Sequence, residues 1–555
     1  MIRSRLRALQ AIAVVLAFAA AGAEASEMKF TVRNRVLHRI DARVFGQFME
    51  RASWAGEIGA EAGLAPGTRD LQPGVVKLLR EAEIPIIRFP GGTDADFLDW
   101  RDMIDNVPGR AAGRPMSRGH TGNPITNNFG YDEFLRLAED LNADGILVVN
   151  FGNAILRAKP VQEAAMEAAS LVAYCNAPPG ARLPEGMEDW PAVRSKNGRS
   201  KPYGVKYFQI GNETWNLLKR MKEAEGDHTE EFYIDCLTAY VDTMREVDPS
   251  IQIIIDGHPR WLPEMARERL GQKIQYVALH EYRPWGISKV KKGGEVVPTA
   301  DLSEEAIWYA WVAVPAIDDM GRSVLRQRDG VAAARELGYK VAITEWNWNG
   351  GWWGYSGRLP SMDSLFAKGV GAAGFIHGLM RAGHTVEIGC QSMLVGNRWD
   401  ITAIRADPNA GFTPFLMPTG EVTMFYSKHH GSGLLDLESE NVPTYAQPYQ
   451  MGGIGAVDEV AYVDALATGD ETAIYFHAIN RCFDRPAQIV IDVSDFGAPG
   501  GKAVHHVLEG RLSNAPGPGE SRQIGRVRHE PIEFGGGSLE ITLPRRSVSC
   551  IEVRL

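Results

Sequence analysis

Residues 205–216 read Val205-Lys206-Tyr207-Phe208-Gln209-Ile210-Gly211-Asn212-Glu213-Thr214-Trp215-Asn216. A short apolar run, too brief for a helix, stops at a glycine and gives way at once to an amide and a carboxylate. That is the form of a buried strand ending in a polar pocket. Residues 341–348, Val341-Ala342-Ile343-Thr344-Glu345-Trp346-Asn347-Trp348, repeat it.

Working outward, similar runs recur at Val44–Met49, Ile84–Phe89, Ile146–Phe151, Ile251–Asp256, Tyr276–His280 and about Glu387–Val395. With Val205–Ile210 and Val341–Thr344 they make eight candidate strands. Between them lie Pro73–Ala82, Tyr131–Asn142, Ala164–Asn176, Thr229–Asp248, Ser323–Leu337 and Leu365–Gly383, apolar at three-to-four spacing and often closed by Gly or Pro. Strands rich in Val, Ile and Phe that alternate with helices predict a parallel (β/α)8 TIM barrel over residues 45–405. The stretches Ala177–Lys201 and Tyr282–Asp301 are long for barrel connections and are expected as loops over one barrel face, able to close one end of a cleft.

From about residue 410 the pattern changes. Gly431–Leu437, Val460–Leu466, Thr472–Asn480, Ala487–Val493, Ala503–Gly510, Ser538–Leu543 and Val548–Arg554 are short, alternating and separated by turn residues. They predict an antiparallel β-sandwich over 406–555 with no helix of any length. The strand-like Met28–Val36, within residues 26–44, is expected to join it.

The 555 residues are 45% apolar and 23% charged, which excludes disorder, collagen and coiled coil. The formal charge is −10 and no stretch gathers basic residues, so no nucleic-acid partner is expected. Residues 1–25 have the form of a signal peptide. Arg3, Arg5 and Arg7 precede an apolar run from Ala8 to Ala21, and Ala23-Glu24-Ala25 has cleavage-site spacing. The expectation is a periplasmic or secreted protein without membrane contact after cleavage, since the run is shorter than the ~20 residues that span a bilayer; an uncleaved anchor is the alternative. The five cysteines are odd in number, lack C-x-x-C spacing and are expected as buried thiols. No phosphate-cradling loop and no metal-ligand spacing is present, so neither cofactor nor metal is expected.

A barrel carries its chemistry at the carboxyl ends of its strands. Glu213 and Glu345, 132 residues apart, can therefore face each other across one pocket. Glycoside hydrolysis needs such a pair, one carboxyl group to protonate the leaving oxygen and one to attack or to activate water. The structural alternative is that each glutamate caps a helix or pairs with an arginine.

Further motifs fall in order around this pair. Phe45-Gly46-Gln47-Phe48-Met49-Glu50 comes first, then Arg88-Phe89-Pro90-Gly91-Gly92 followed by Trp100-Arg101-Asp102. Pro202-Tyr203-Gly204-Val205-Lys206-Tyr207 leads into Gly211-Asn212-Glu213, and Thr344-Glu345-Trp346-Asn347 precedes a closing Leu543-Pro544-Arg545-Arg546-Ser547-Val548. Together they resemble the α-L-arabinofuranosidases of glycoside hydrolase clan A, the fifty-first sequence family, over nearly all of the mature chain.

The resemblance implies a retaining O-glycoside hydrolase, exo-acting on α-L-arabinofuranosyl or a related furanosyl residue of a polysaccharide or oligosaccharide. Glu213 would be the acid/base and Glu345 the nucleophile, with carboxyl groups about 5–5.5 Å apart and pKa values pulled apart by their surroundings. Glu50 would accept hydrogen bonds from sugar hydroxyls, unless it forms a salt bridge with Arg51 or Arg88. Arg88 would hold the nucleophile in its charged form. Asn212 would bond the hydroxyl next to the reacting carbon, unless it is a buried structural amide, and Tyr282 would bond the nucleophile. Gln391 matches a sugar-contacting amide more loosely. Trp346, Trp348, Trp352 and Trp353 offer flat faces for sugar rings, of which at least one is expected to line the pocket, although tryptophans packed under a loop are as common. His280 is expected as a neutral packing residue. Such enzymes often assemble as homo-oligomers.

One position departs: Thr93, followed by Asp94, stands where the family has Asn after Pro-Gly-Gly, so the sugar is left open. Two other readings remain open, an endo-glucanase or other clan A glycosidase such as a uronidase, and a non-catalytic carbohydrate-binding protein.

Overall fold

Strands apolar on both faces must be covered on both, and here eight of them close on one another in chain order. After an opening strand β1 (Met28–Arg39) come β2 (Gly46–Phe48), β3 (Ile86–Phe89), β4 (Asp144–Val149), β5 (Tyr207–Ile210), β6 (Gln252–Asp256), β7 (Tyr276–Tyr282), β8 (Lys340–Asn347) and β9 (Val386–Ser392). Neighbours from β2 to β9 are parallel, and β9 pairs with β2 to shut the barrel. Phe48, Ile86, Ile146, Tyr207, Ile254 and Ile388 fill the interior. The computed structural model describes residues 27–51, 57–110, 112–225, 230–283, 288–317, 328–348, 366–398, 401–451, 454–497, 501–512 and 522–555. The signal-like residues 1–25, Trp352, Trp353 and the start of the expected helix Ser323–Leu337 lie outside them.

Two expectations are corrected. Ala177–Lys201 follows the helix Val161–Asn176 and precedes β5, so it lies at the amino ends of the strands, on the face away from Glu213 and Glu345. It carries a short helix, Trp190–Lys196, whose buried Arg194 donates to the carbonyls of Tyr174, Ala177 and Ser200, and it cannot close the cleft. Tyr282–Asp301 does follow a strand at the carboxyl face and forms a hairpin, Lys289–Lys292 with Glu295–Pro298. The second correction is a helix, Pro418–Lys428, in the stretch expected to hold none. Pro418 and Gly420 read as turn residues in sequence, but proline is at home in a first helical turn, where its missing N–H costs no bond.

Eight further strands are β10 (Gly433–Glu440), β11 (Val463–Gly469), β12 (Ala473–Asn480), β13 (Ala487–Asp492), β14 (Lys502–Gly510), β15 (Gly525–Glu533), β16 (Ser538–Leu543) and β17 (Ser547–Arg554). With β1 they form one nine-stranded sheet in the order β15-β14-β17-β12-β11-β10-β1-β13-β16. It is antiparallel except where β1 runs parallel to β13, a departure from the wholly antiparallel expectation. Strands three places apart in a flat sheet are about 14 Å distant. Yet the rings of Phe30 on β1 and Phe476 on β12 are 5.3 Å apart, so the sheet curls over a core of its own. All five cysteines are buried free thiols.

Candidate active site

Glu345 reaches the barrel mouth because β8 is irregular. Ala342 points into the barrel, and strict alternation would send Glu345 outward. The register with β7 shifts between Ile343 and Glu345, a bulge that re-aims the carboxylate inward and turns Trp346 out against the helices. Glu345 is 6% exposed. It accepts from Arg88 Nη1 at 2.8 Å on one oxygen and from the Tyr282 hydroxyl at 2.7 Å on the other. Burial alone would raise its pKa, but the charges of His280 and Arg88 and the bond from Tyr282 outweigh it and hold the carboxyl below its ordinary value.

Glu213 sits just past β5 in a left-handed conformation, φ +46°, that only Gly adopts freely, after Gly211 at +72°. Two buried carboxylates hold the chain there. Asp96 Oδ2 accepts the Asn212 N–H at 2.9 Å, its Oδ1 accepts the Phe151 N–H at 2.8 Å, and Asp256 Oδ2 accepts the Thr214 N–H at 2.7 Å. The backbone is thus clamped on both sides of Glu213. Burial pushes Asp96 up to about 7 against the pull of its N–H donors, and it raises Asp256 against the charge of His280.

One oxygen of each of Glu213 and Glu345 and one nitrogen of His280 lie within 4.8 Å of one another. His280 Nδ1 is 3.1 Å from Glu213 and 3.6 Å from Glu345, and Nε2 is 2.9 Å from the Thr344 hydroxyl. Burial pulls the imidazole down, yet Glu345 and Glu213 more than offset this and its pKa is raised. The expectation of a packing residue is corrected by this geometry: His280 bridges the two carboxylates.

Arg88 organises the floor. Wholly buried above the Phe48 ring, it donates to Gln209 at 2.8 Å and to Asn212 at 2.6 Å besides Glu345. Asn212 is thus buried with its side-chain oxygen engaged. Tyr282 also accepts from the Ser392 hydroxyl at 2.7 Å, and its phenol is raised well above its ordinary pKa by burial and then by Glu345. Glu50 is 2% exposed at the end of β2, and its carboxylate lies where a Cβ on Gly92 would fall. Gly92 has φ +64°, so conformation and space both demand glycine there. Thr93 follows, half-buried, while Asp94 is committed to His120, accepting from its N–H at 2.7 Å.

Two residues expected at the sugar are not brought there. Gln391 alternates outward from β9, accepting from Gln47 at 3.2 Å and donating to the Thr419 carbonyl at 3.0 Å, wholly buried against the helix Pro418–Lys428. Trp346 is wholly buried and stacks on Phe375 at 4.7 Å, and Trp348 is equally enclosed. Among the described residues an exposed aromatic beside the carboxylates is Trp215, 45% exposed, two residues after Glu213. Its place in the Asn-Glu-Thr-Trp run was the available signal. Asp256 was likewise readable as the acid that ends an apolar strand. Asp96, Gln209, Thr344 and Ser392 carry no local signal.

A closed eight-stranded parallel barrel with two glutamates at its carboxyl face, backed by a curled sheet, is the architecture of the glycoside hydrolase barrels. Residues 78–284 match the family described as Alpha-L-arabinofuranosidase 1 domain. The intracellular exo-alpha-(1->5)-L-arabinofuranosidase 1 of Bacillus subtilis (strain 168) is 28% identical over 255 residues, 44% of this chain and 46% of that protein. The probable alpha-L-arabinofuranosidase C of Aspergillus niger is 32% identical over 194 residues, 34% of this chain and 33% of that protein. The chain thus matches between a third and a half of the length of these curated relatives. The solved GH51 alpha-L-arabinofuranosidase of Thermotoga petrophila RKU-1 shares the fold with a TM-score of 0.71 at 22% identity, covering 95% of this chain and 100% of that one. Residues 78–284 are thus similar to the α-L-arabinofuranosidase family, and the chain as a whole shares the fold of solved GH51 α-L-arabinofuranosidases.

Proposed function

We propose that the protein is an exported retaining glycosidase that removes α-L-arabinofuranosyl or related furanosyl units from polysaccharides or their fragments. The observation that carries the reading is the pair of carboxylates with oxygens within 4.8 Å. Such close oxygens fit the carboxyl separation of about 5–5.5 Å of a retaining enzyme better than the about 6.5–9.5 Å with which an inverting enzyme makes room for its water.

Glu345, held ionised by Arg88 and Tyr282, attacks the anomeric carbon, while Glu213 gives its proton to the departing oxygen. A glycosyl ester on Glu345 results. Glu213, now a carboxylate, takes a proton from water, the water oxygen bonds the anomeric carbon, and Glu345 leaves unchanged. His280 keeps both carboxylates at working distance, Asn212 and Glu50 bond the sugar hydroxyls, and Trp215 offers its face to the leaving group.

The sugar is proposed from the names of the relatives and tempered by Thr93. Export rests on residues 1–25 alone, and the Bacillus relative is by name intracellular. An endo-acting glycosidase is the second reading, favoured only by the loss of Ala177–Lys201 as a wall. The test is a panel of nitrophenyl furanosides and pyranosides, with product sizes from arabinan and xylan. Glu345→Gln is expected to abolish turnover, and Glu213→Ala to spare only substrates with good leaving groups. Either variant matching wild type on all substrates refutes the assignment, and an early ladder of oligomers refutes exo action.

A further inference from the structure

Where the helix Pro418–Lys428 ends against the edge of the sheet, three imidazoles meet. His429 caps the helix, and His506 and His529 sit directly opposite each other on β14 and β15. One ring nitrogen of each lies within 4.8 Å of the other two. His506 Nδ1 and His529 Nδ1 are 2.7 Å apart, and the His429 ring lies 3.9 Å from that of His506. On its far side His506 Nε2 is 3.2 Å from a carboxylate oxygen of Glu552 on β17. Apolar packing gives no reason for three imidazoles to converge from one helix end and two strands.

We propose that His429, His506 and His529 form a binding site for a divalent ion of the zinc class, which ties the last barrel helix to the edge strand of the sheet. Each neutral imidazole offers one in-plane lone pair, and three nitrogens with a water make the tetrahedral set that zinc takes. Glu552 supplies the support that ligating histidines ordinarily have. By accepting the Nε2–H of His506 it fixes the tautomer whose lone pair is on Nδ1, facing His529. The cross-strand pairing sets two ligands in place before any ion arrives, and exposed His529 leaves a path in. Metal–nitrogen bonds of about 2.0–2.1 Å put tetrahedral ligand atoms roughly 3.3 Å apart. Closing the site therefore parts the two Nδ1 atoms by a few tenths of an ångström and turns the His429 ring out of its stack.

The experiment uses the full chain, free of any purification tag and stripped with a chelator, titrated with zinc(II) alone by calorimetry and with cobalt(II) by visible absorption. One equivalent is expected to bind, cobalt giving the intense bands of a tetrahedral nitrogen site. Zinc at about 100 times Kd is expected to raise the thermal midpoint by about 2 °C for a chain of this size. His529→Gln and His429→Gln are expected to weaken binding by at least about tenfold and to abolish the shift, with aryl-glycoside hydrolysis unchanged. Failure of the wild type to bind, or binding undiminished in both variants, overturns the proposal. Glu213, His280 and Glu345 form the other metal-capable cluster among the described residues. An ion held there would inhibit hydrolysis, survive His529→Gln and be weakened by Glu345→Gln, which also counts against the site.

Discussion

Replacing Arg88 by methionine keeps much of its volume and removes three charge-assisted hydrogen bonds, those to Glu345, Asn212 and Gln209 at 2.8, 2.6 and 2.8 Å. The group is wholly buried, so no water takes its place readily. Breaking a buried ion pair from one side costs about 3–5 kcal/mol of stability. For the chemistry, the relevant part is the single bond to the ionised form of Glu345, about 1.5–3 kcal/mol. At about 1.4 kcal/mol per pH unit this raises the pKa of Glu345 by about 1–2 units. In the wild type Glu345 is held below its ordinary value, so it contributes stability that is present above the unfolded-state pKa and lost as pH falls through the folded-state value. With Arg88 gone burial prevails and that contribution shrinks or reverses. The acidic limb of the kcat/KM profile on a nitrophenyl arabinofuranoside is expected to move up by about 1–2 units. The stability deficit by denaturant titration is expected to be larger near neutrality than in acid, where the carboxyl is protonated with or without Arg88. Arg88→Lys restores the charge but not the fork, and should fall between. A profile whose acidic limb stays in place while kcat/KM drops, with an equal deficit at both pH values, would mean that Arg88 only fills space.

The clamp on Glu213 predicts that Asp96→Asn, which sets an N–H donor against one of the backbone donors now bound, destabilises the fold by about 1.5–3 kcal/mol. Because Glu213 relaxes from its left-handed backbone, activity should fall more on polysaccharide than on nitrophenyl substrates, whose departure needs little proton donation; equal losses on both would sink the idea. Trp346→Ala should cost about 3–5 kcal/mol by calorimetry or denaturant titration, as a large ring lost from a packed core does, while Trp346→Phe leaves KM for short substrates unchanged. A raised KM with intact stability would return Trp346 to the sugar.

What was legible in the sequence was whatever a strand end could announce locally. Apolar runs broken by Asn212-Glu213 and by Glu345 marked both carboxylates, and Arg88 and Glu50 stood at ends of the same kind. What was hidden depended on register or on distant chain. The bulge in β8 leaves no local mark, so Trp346 and Glu345 read as neighbours at one mouth although their side chains point to opposite sides of the barrel wall. Gln391 failed for a related reason, since alternation along β9 gives the mouth to Ser392 and the helix layer to Gln391. The length of Ala177–Lys201 says nothing of the face it covers, which its order after a helix and before a strand decides. His429, His506 and His529 have no metal-ligand spacing in sequence, and only the docking of the sheet on the last barrel helix assembles them.

Two local irregularities therefore bring the carboxylates together, a bulge that turns Glu345 inward and a left-handed residue that projects Glu213. Neither is favourable alone, because a bulge leaves ladder groups unpaired and a non-glycine at φ +46° is strained. Each is held by buried polar groups: Arg88 and Tyr282 on Glu345, Asp96 and Asp256 on the chain around Glu213. Regular strands would be the more stable arrangement for the backbone, but they would face one glutamate to the helices and drop the other from the mouth. The polar floor of the barrel is thus better understood as the support of two strained positions than as a lining for the sugar, and changes in it should alter how fast bonds break more than how tightly substrate binds.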